Sequence, residues 1–312
     1  MEAVLAQHLA GAYHSSPVTL RPIGELNPVY RVERLDGPPW VVRLGRGVPR
    51  YAACLSYLAQ HHYPAPRLVP AANGTHVTSL GDQPVIVMTL LEGRRPPREL
   101  AAMELVGAAL GRLHTLPLTG AALEPPIQRA GMQPRGEIAR ARSWLESVRD
   151  IVPLAHRSSF YELDRACQTI DLCESLDQSF IHADAHYNNT ILTPNGEIVY
   201  LDFDSAGPGP AVVDLGFLLV NAHAAPIVSP PKDLDPRRVA AVIRGYCRYR
   251  TLGDSELERL VDAIRFRPLV WACARFSEAI KRGEAPPEWL LQRVRMSDAL
   301  AEFAVDCLRA ES

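Results

Sequence analysis

The stretch FIHADAHYNNTILTPNGEIVYLDFDSAGPGPAVVDLG, residues 180–216, constrains the fold more than any other part of the chain. An apolar run ends at Phe180-Ile181, and His182, Asp184, His186, Asn188 and Asn189 then crowd into eight residues. Two strand-like runs, Thr190 to Thr193 and Ile198 to Leu201, flank Pro194-Asn195-Gly196-Glu197, which predicts a β-hairpin. With 194–197 as the turn, 193 pairs with 198. Counting back sets Asn189 opposite Asp202, at the roughly 5 Å of cross-strand neighbours. An amide oxygen and a carboxylate so placed suit a hard divalent cation such as magnesium. Asp184 lies a few residues earlier on the same loop, close enough to act on a substrate proton without binding the metal. Ligands that neutralise phosphates, and a carboxylate that accepts the proton of an attacking hydroxyl, are what phosphoryl transfer needs.

The remaining chain divides by texture. VTLRPI, PVYRVERL and PWVVRL are short strand-like runs, broken at Gly24, Asn27-Pro28 and Asp36-Gly37. A helical stretch from Arg50 to His62 and a further strand pair, HVTSL and PVIVMTL, complete a β-rich region. Beyond Leu91-Glu92-Gly93 the pattern changes: Met103, Val106, Leu110 and Leu113 step by three and four, the mark of a helix face. Two more helical stretches near 135–150 and 158–176 and a largely helical C-terminal third follow. The expected architecture is α+β in two lobes: residues 1–91, β-rich, and residues 92–312, mainly helical and carrying the polar hairpin.

The order H-x-D-x-x-x-x-N, L-D-F-D, D-L-G resembles the aminoglycoside phosphotransferase and choline kinase-like family, which has the protein-kinase-like fold. The resemblance is strong over 179–216 and fainter over 17–115. It implies Asp184 as the catalytic aspartate, Asn189 and Asp202 as magnesium ligands, and His182 as the histidine bracing the catalytic loop. It further implies a structural role for Asp214. Asp204 falls where an acid is common, and His186 where many relatives also have histidine, as a loop brace or a contact to the acceptor. The N-lobe would bind the nucleotide, ATP or GTP, with the backbone from Thr89 to Leu91 against the base and GELNPVYRV over the phosphates.

The chain departs from the family pattern in places. Relatives hold the α- and β-phosphates with a Lys or Arg on the third strand. Both lysines here lie after residue 230, so Arg43 in WVVRL is the candidate. A glutamate on the next helix usually orients that cation, but Tyr51 falls at its position, and no Asp or Glu occurs between Asp36 and Asp82. Either Tyr51 supplies a neutral hydrogen bond or an acid from elsewhere, such as Glu25, substitutes. Asn27 suits either a tight turn or a phosphate contact. Ala183 stands where relatives commonly have glycine, and a methyl group there asks for a non-glycine backbone conformation.

Composition narrows the partners. A formal net charge of -2 argues against nucleic acid or an anionic membrane as the main partner. The six cysteines are scattered without a C-x-x-C, as expected of free thiols in a reducing cytoplasm. The N-terminal stretch reads as an amphipathic helix and not as a signal peptide. From Pro230 to the end, 15 Lys and Arg face 13 Asp and Glu, a balance that does not suit a strongly cationic acceptor. The expectation is a magnesium-dependent kinase that phosphorylates a hydroxyl of a small molecule, an antibiotic or another hydroxylated metabolite. The alternatives are a nucleotide-binding protein that has lost catalysis, a protein kinase, and a metal-dependent hydrolase.

Overall fold

The computed structural model describes residues 1–23, 28–127, 130, 133–224, 230 and 234–311. In chain order its elements begin α1 (Glu2–Tyr13), β1 (Pro17–Pro22), β2 (Val29–Arg34), β3 (Trp40–Leu44), α2 (Val48–Gln60), β4 (Val77–Leu80) and β5 (Gln83–Thr89). Next come α3 (Leu100–His114), α4 (Pro134–Glu146), α5 (Arg157–Thr169), β6 (Gln178–Ile181), β7 (Thr190–Leu192), β8 (Ile198–Tyr200) and β9 (Gly207–Pro210). The chain ends in α6 (Ala211–His223), α7 (Pro236–Cys247), α8 (Asp254–Glu258), α9 (Leu260–Lys281) and α10 (Trp289–Glu311). They fall into two compact units. One comprises 1–94, 119–128 and 191–204, the other 95–118, 129–190 and 205–312. Among the described residues no helix is long and apolar enough to cross a membrane.

The first unit is built on a five-stranded antiparallel sheet in the order β1-β2-β3-β5-β4. Leu5, Leu9 and Tyr13, spaced by four, form the buried stripe of α1 and join Val32, Trp40, Val42, Leu44, Val85 and Val87 in one apolar cluster. Leu5 and Leu9 are fully buried, worth about 1.5–3 kcal/mol each. Side chains alternate along β3, so Val42 and Leu44 enter that cluster while Arg43 projects from the opposite face.

The predicted hairpin forms from β7 and β8, with a tighter turn than the sequence count assumed. Gly196 donates its N–H to the Thr193 carbonyl at 3.0 Å, and the Thr193 N–H reaches the Glu197 carbonyl at 2.9 Å. Thr193 therefore closes on Glu197 rather than on Ile198. Gly196, at φ 80°, takes the left-handed setting of a three-residue loop. The count that set residue 189 opposite 202 is displaced by one, and both residues lie beyond the strand ends.

Among its described residues the second unit is mainly helical, with the β6–β9 pair as its sheet. GPGP reads as loop, yet it pairs in register with QSFI, because Gly209 leaves room for the Ile181 side chain that a Cβ would strike. Glycines also bring helices into backbone contact. Gly107 lies against the Val242 carbonyl and Gly245 against the Glu104 carbonyl where α3 meets α7, and Gly216 lies against Ala263 where α6 meets α9. In the α3–α7 seam, buried His114 sets Nδ1 2.9 Å from the Tyr246 hydroxyl and Nε2 3.2 Å from Oδ2 of Asp214.

Gly245→Ala forces a methyl into the Glu104 carbonyl and is expected to destabilise the protein by about 1–3 kcal/mol in urea unfolding. Burial holds the His114 pKa below its ordinary value, against the upward pull of Asp214. A depressed histidine contributes stability above its unfolded pKa of about 6.5, and that contribution is lost as pH falls. Urea unfolding at stepped pH should show a His114→Gln variant losing stability less steeply below pH 6.5. The reduction in slope should reach up to about 1.4 kcal/mol per pH unit. An unchanged slope would remove His114 from the acid response.

Candidate active site

In the second unit the polar loop is built around Asp214. This carboxylate, in the first turn of α6, is 2% exposed and accepts the backbone N–H of His182 at 2.6 Å and of Ala183 at 2.8 Å. Two charge-assisted bonds to successive amides fix the chain where β6 ends. His182 is fully buried, and Ala183 holds φ 63°, a left-handed setting that costs a residue with a side chain about 1–2 kcal/mol. The non-glycine backbone expected at this alanine is not found: the chain keeps the left-handed setting that glycine favours, because the two bonds to Asp214 hold the turn.

Asp184 follows, with its side chain about a third exposed. Asn189 ends the short turn Tyr187–Asn189, and its N–H reaches the His186 carbonyl at 2.9 Å. Its side-chain Nδ2 donates to both the Asp184 carbonyl, at 3.1 Å, and Asp184 Oδ2, at 3.0 Å. With the NH2 group committed to Asp184, the amide oxygen is directed away from it. His186 stands 3.7 Å from Asp184 Oδ2 through Nε2 and meets the Phe217 ring edge-on at 5.7 Å.

In the first unit Arg43 is the buried cation, 8% exposed. It donates to Asp202 Oδ1 at 3.3 Å and makes a close ion pair with Asp204 Oδ2. Burial works against its charge, but Asp204 and Asp202 outweigh that, and its pKa rises. Burial also pushes the Asp204 carboxyl above the usual range, with Arg43 pulling it back and Asp202 adding to the rise. The carboxylate partner missing from α2 is therefore supplied by the Asp202-Phe203-Asp204 segment. Glu25 lies outside the described residues. Tyr51 meets Arg43 through its ring, 4.7 Å from the guanidinium carbon, while its hydroxyl interacts with the Asp202 backbone. Asp202 holds φ 61°, a second strained non-glycine residue at a candidate position.

Thr89 ends β5, pairs with Trp40, and exchanges bonds with Arg67: its N–H donates to the Arg67 carbonyl at 2.9 Å and its hydroxyl accepts the Arg67 N–H at 3.1 Å. Its N–H is thereby committed to Arg67, and Leu90 and Leu91, both half-buried, follow. Val87 and Met88 are buried in the sheet. Asn27 lies outside the described residues.

Three residues escape a reading of the sequence. Arg50 donates Nε to the Asp204 carbonyl at 3.0 Å, His114 bonds Asp214, and Arg267 donates to the Ala183 carbonyl. Each sits in an ordinary helical stretch with no local motif, and each makes its contact across a large sequence separation.

Known proteins are similar to this chain. A curated relative, a homoserine kinase of Ralstonia pickettii (strain 12J), is 23% identical over 232 residues, 70% of this chain; the match spans 65% of the relative's own length. Among solved structures, the amicoumacin kinase hAmiN, in complex with AMP-PNP, Ca2+ and Ami, superposes with a TM-score of 0.70 at 17% identity, over 96% of this chain and 93% of its own. A spectinomycin phosphotransferase, in complex with ADP and spectinomycin, superposes with a TM-score of 0.64 at 14% identity, over 97% of each chain. These likenesses give the protein-kinase-like fold. The phosphotransferase enzyme family matches residues 18–259, 242 of the 312, and the chain belongs to that family.

Proposed function

We propose that the protein is an ATP- and magnesium-dependent kinase that phosphorylates a hydroxyl of a small molecule. The observation that carries the reading is Asp184: a partly exposed carboxylate on a loop tied at two amides by Asp214 and gripped twice by Asn189. A carboxylate so held can accept a hydroxyl proton without paying to reorganise. The hydroxyl oxygen bonds to the γ-phosphorus as the bond to the departing diphosphate breaks, and the proton passes to Asp184 and then to water.

The donor chemistry supports magnesium. Asp202, Asp204 and the amide oxygen of Asn189 are the hard oxygen ligands that this ion takes, and Arg43 already bears on both acids as a cation. In this reading Asn189 and Asp202 hold the ion, which neutralises phosphate charge. Arg43 holds the α- and β-phosphates, and the backbone about Leu91 meets the base. His182 and Asp214 keep the loop in place, and His186 braces Asp184.

For the acceptor, the near balance of 15 basic and 13 acidic residues after Pro230 supports a neutral or mildly charged molecule. The similar proteins include an amicoumacin kinase, a spectinomycin phosphotransferase and a homoserine kinase. A hydroxylated antibiotic or amino alcohol is the class to test, and resistance to such an antibiotic is the corresponding role.

Incubation with ATP, magnesium and a panel of hydroxylated antibiotics and amino alcohols should yield, by mass spectrometry, one product heavier by a phosphoryl group. No product across the panel together with no ATP binding would refute the reading. Arg43→Ala should weaken ATP binding about tenfold or more in calorimetry, a loss of about 1.4 kcal/mol. Wild-type affinity in that variant would take Arg43 out of the site.

A further inference from the structure

Arg267 is an arginine at the centre of α9 that the reading above leaves unused. It is 6% exposed, and burial lowers its pKa, opposed by the charges of Asp184, Glu137 and Asp214. A charge is kept in such a place at a large desolvation cost, which directs attention to what its hydrogen bonds hold. Nη2 donates to the carbonyl of Ala183. The guanidinium carbon lies 5.1 Å from the Phe217 ring centroid and 5.6 Å from that of Phe266, so two aromatic faces limit its freedom. The close approach of Gly216 to Ala263 brings α6 and α9 together next to Phe217 and one turn from Arg267.

The Ala183 carbonyl belongs to the peptide plane from which the Cα of Asp184 hangs. On the other side of the Ala183 Cα, its own N–H and that of His182 are fixed by Asp214. The two planes flanking a left-handed alanine are therefore tied in opposite senses, the N–H side by a carboxylate and the C=O side by a guanidinium. Asp214 alone leaves the second plane free to rotate about the Ala183 Cα–C bond, and that rotation swings Asp184.

We propose that Arg267 is a positioning residue of the catalytic loop: by holding the Ala183 carbonyl it keeps a strained turn at the setting in which Asn189 grips Asp184. This rests on the reading of Asp184 as the proton acceptor. Arg267 acts through the backbone, at the Ala183 carbonyl. Lysine cannot replace it, because an ammonium lacks the planar fork that stacks on Phe217 while donating to a carbonyl.

The test uses Arg267→Lys and Arg267→Gln in the full chain, each with and without Ala183→Gly. Hydrogen exchange by mass spectrometry needs no acceptor and separates this proposal from the functional one. Exchange over residues 180–186 should accelerate about tenfold in Arg267→Lys while exchange along α9 stays unchanged. With the acceptor found by the panel, kcat should fall about 100-fold with the KM for ATP within about threefold. Glycine carries no penalty at a positive φ, so adding Ala183→Gly should recover about fivefold of kcat, which a merely structural arginine would not allow. If Arg267→Gln does not fold, Arg267→Lys alone decides. Unchanged loop exchange and kcat in folded Arg267→Lys would overturn the proposal, as would a loss of kcat that Ala183→Gly leaves untouched. Accelerated loop exchange in the variant, with neither phosphorylated product nor ATP binding from the wild type, would sustain the loop-holding role and sink the kinase reading.

Discussion

One buried carboxylate orders the polar loop of the second unit. Asp214 takes the N–H groups of two consecutive residues, His182 and Ala183, and the Nε2 of His114. At 2% exposure it cannot be left without donors, and the backbone that supplies them must turn sharply to do so. The left-handed Ala183 is the consequence, and Asp184 is placed by that turn. Because Asp214 enters on α6, whose packing against α9 admits no side chain at Gly216, the loop inherits the rigidity of the helical core.

The first unit arranges its charges differently. With no acid between Asp36 and Asp82, α2 cannot orient the strand cation. Arg43 turns instead to Asp202 and Asp204, and Tyr51 offers a ring where a carboxylate is usual. Arginine suits this better than lysine, since one guanidinium can serve two carboxylates and an aromatic face at once.

The hairpin was legible because Pro-Asn-Gly-Glu is strong turn chemistry, and the strands and helices of both units follow from periodicity. The register was not, since nothing in the four letters says whether glycine closes a three- or a four-residue loop; Gly196 in the left-handed region decides for three. GPGP hid a strand because its composition signals turns, and only its pairing with QSFI explains it. Arg43 was legible as the cation, but its partners lie about 160 residues away on the chain, and no local pattern carries that distance. Arg267 and His114 were invisible for the same reason. Their meaning comes from the loop they touch and not from the helices that bear them.

The central claim is that Asp184, fixed by Asp214 and Asn189, accepts the proton of the attacking hydroxyl. Single-turnover transfer by Asp184→Asn, measured alongside its ATP affinity, tests it most directly. The account predicts ATP binding close to wild type and transfer slowed by a factor on the order of 1000. Transfer at the wild-type rate in that variant would contradict it.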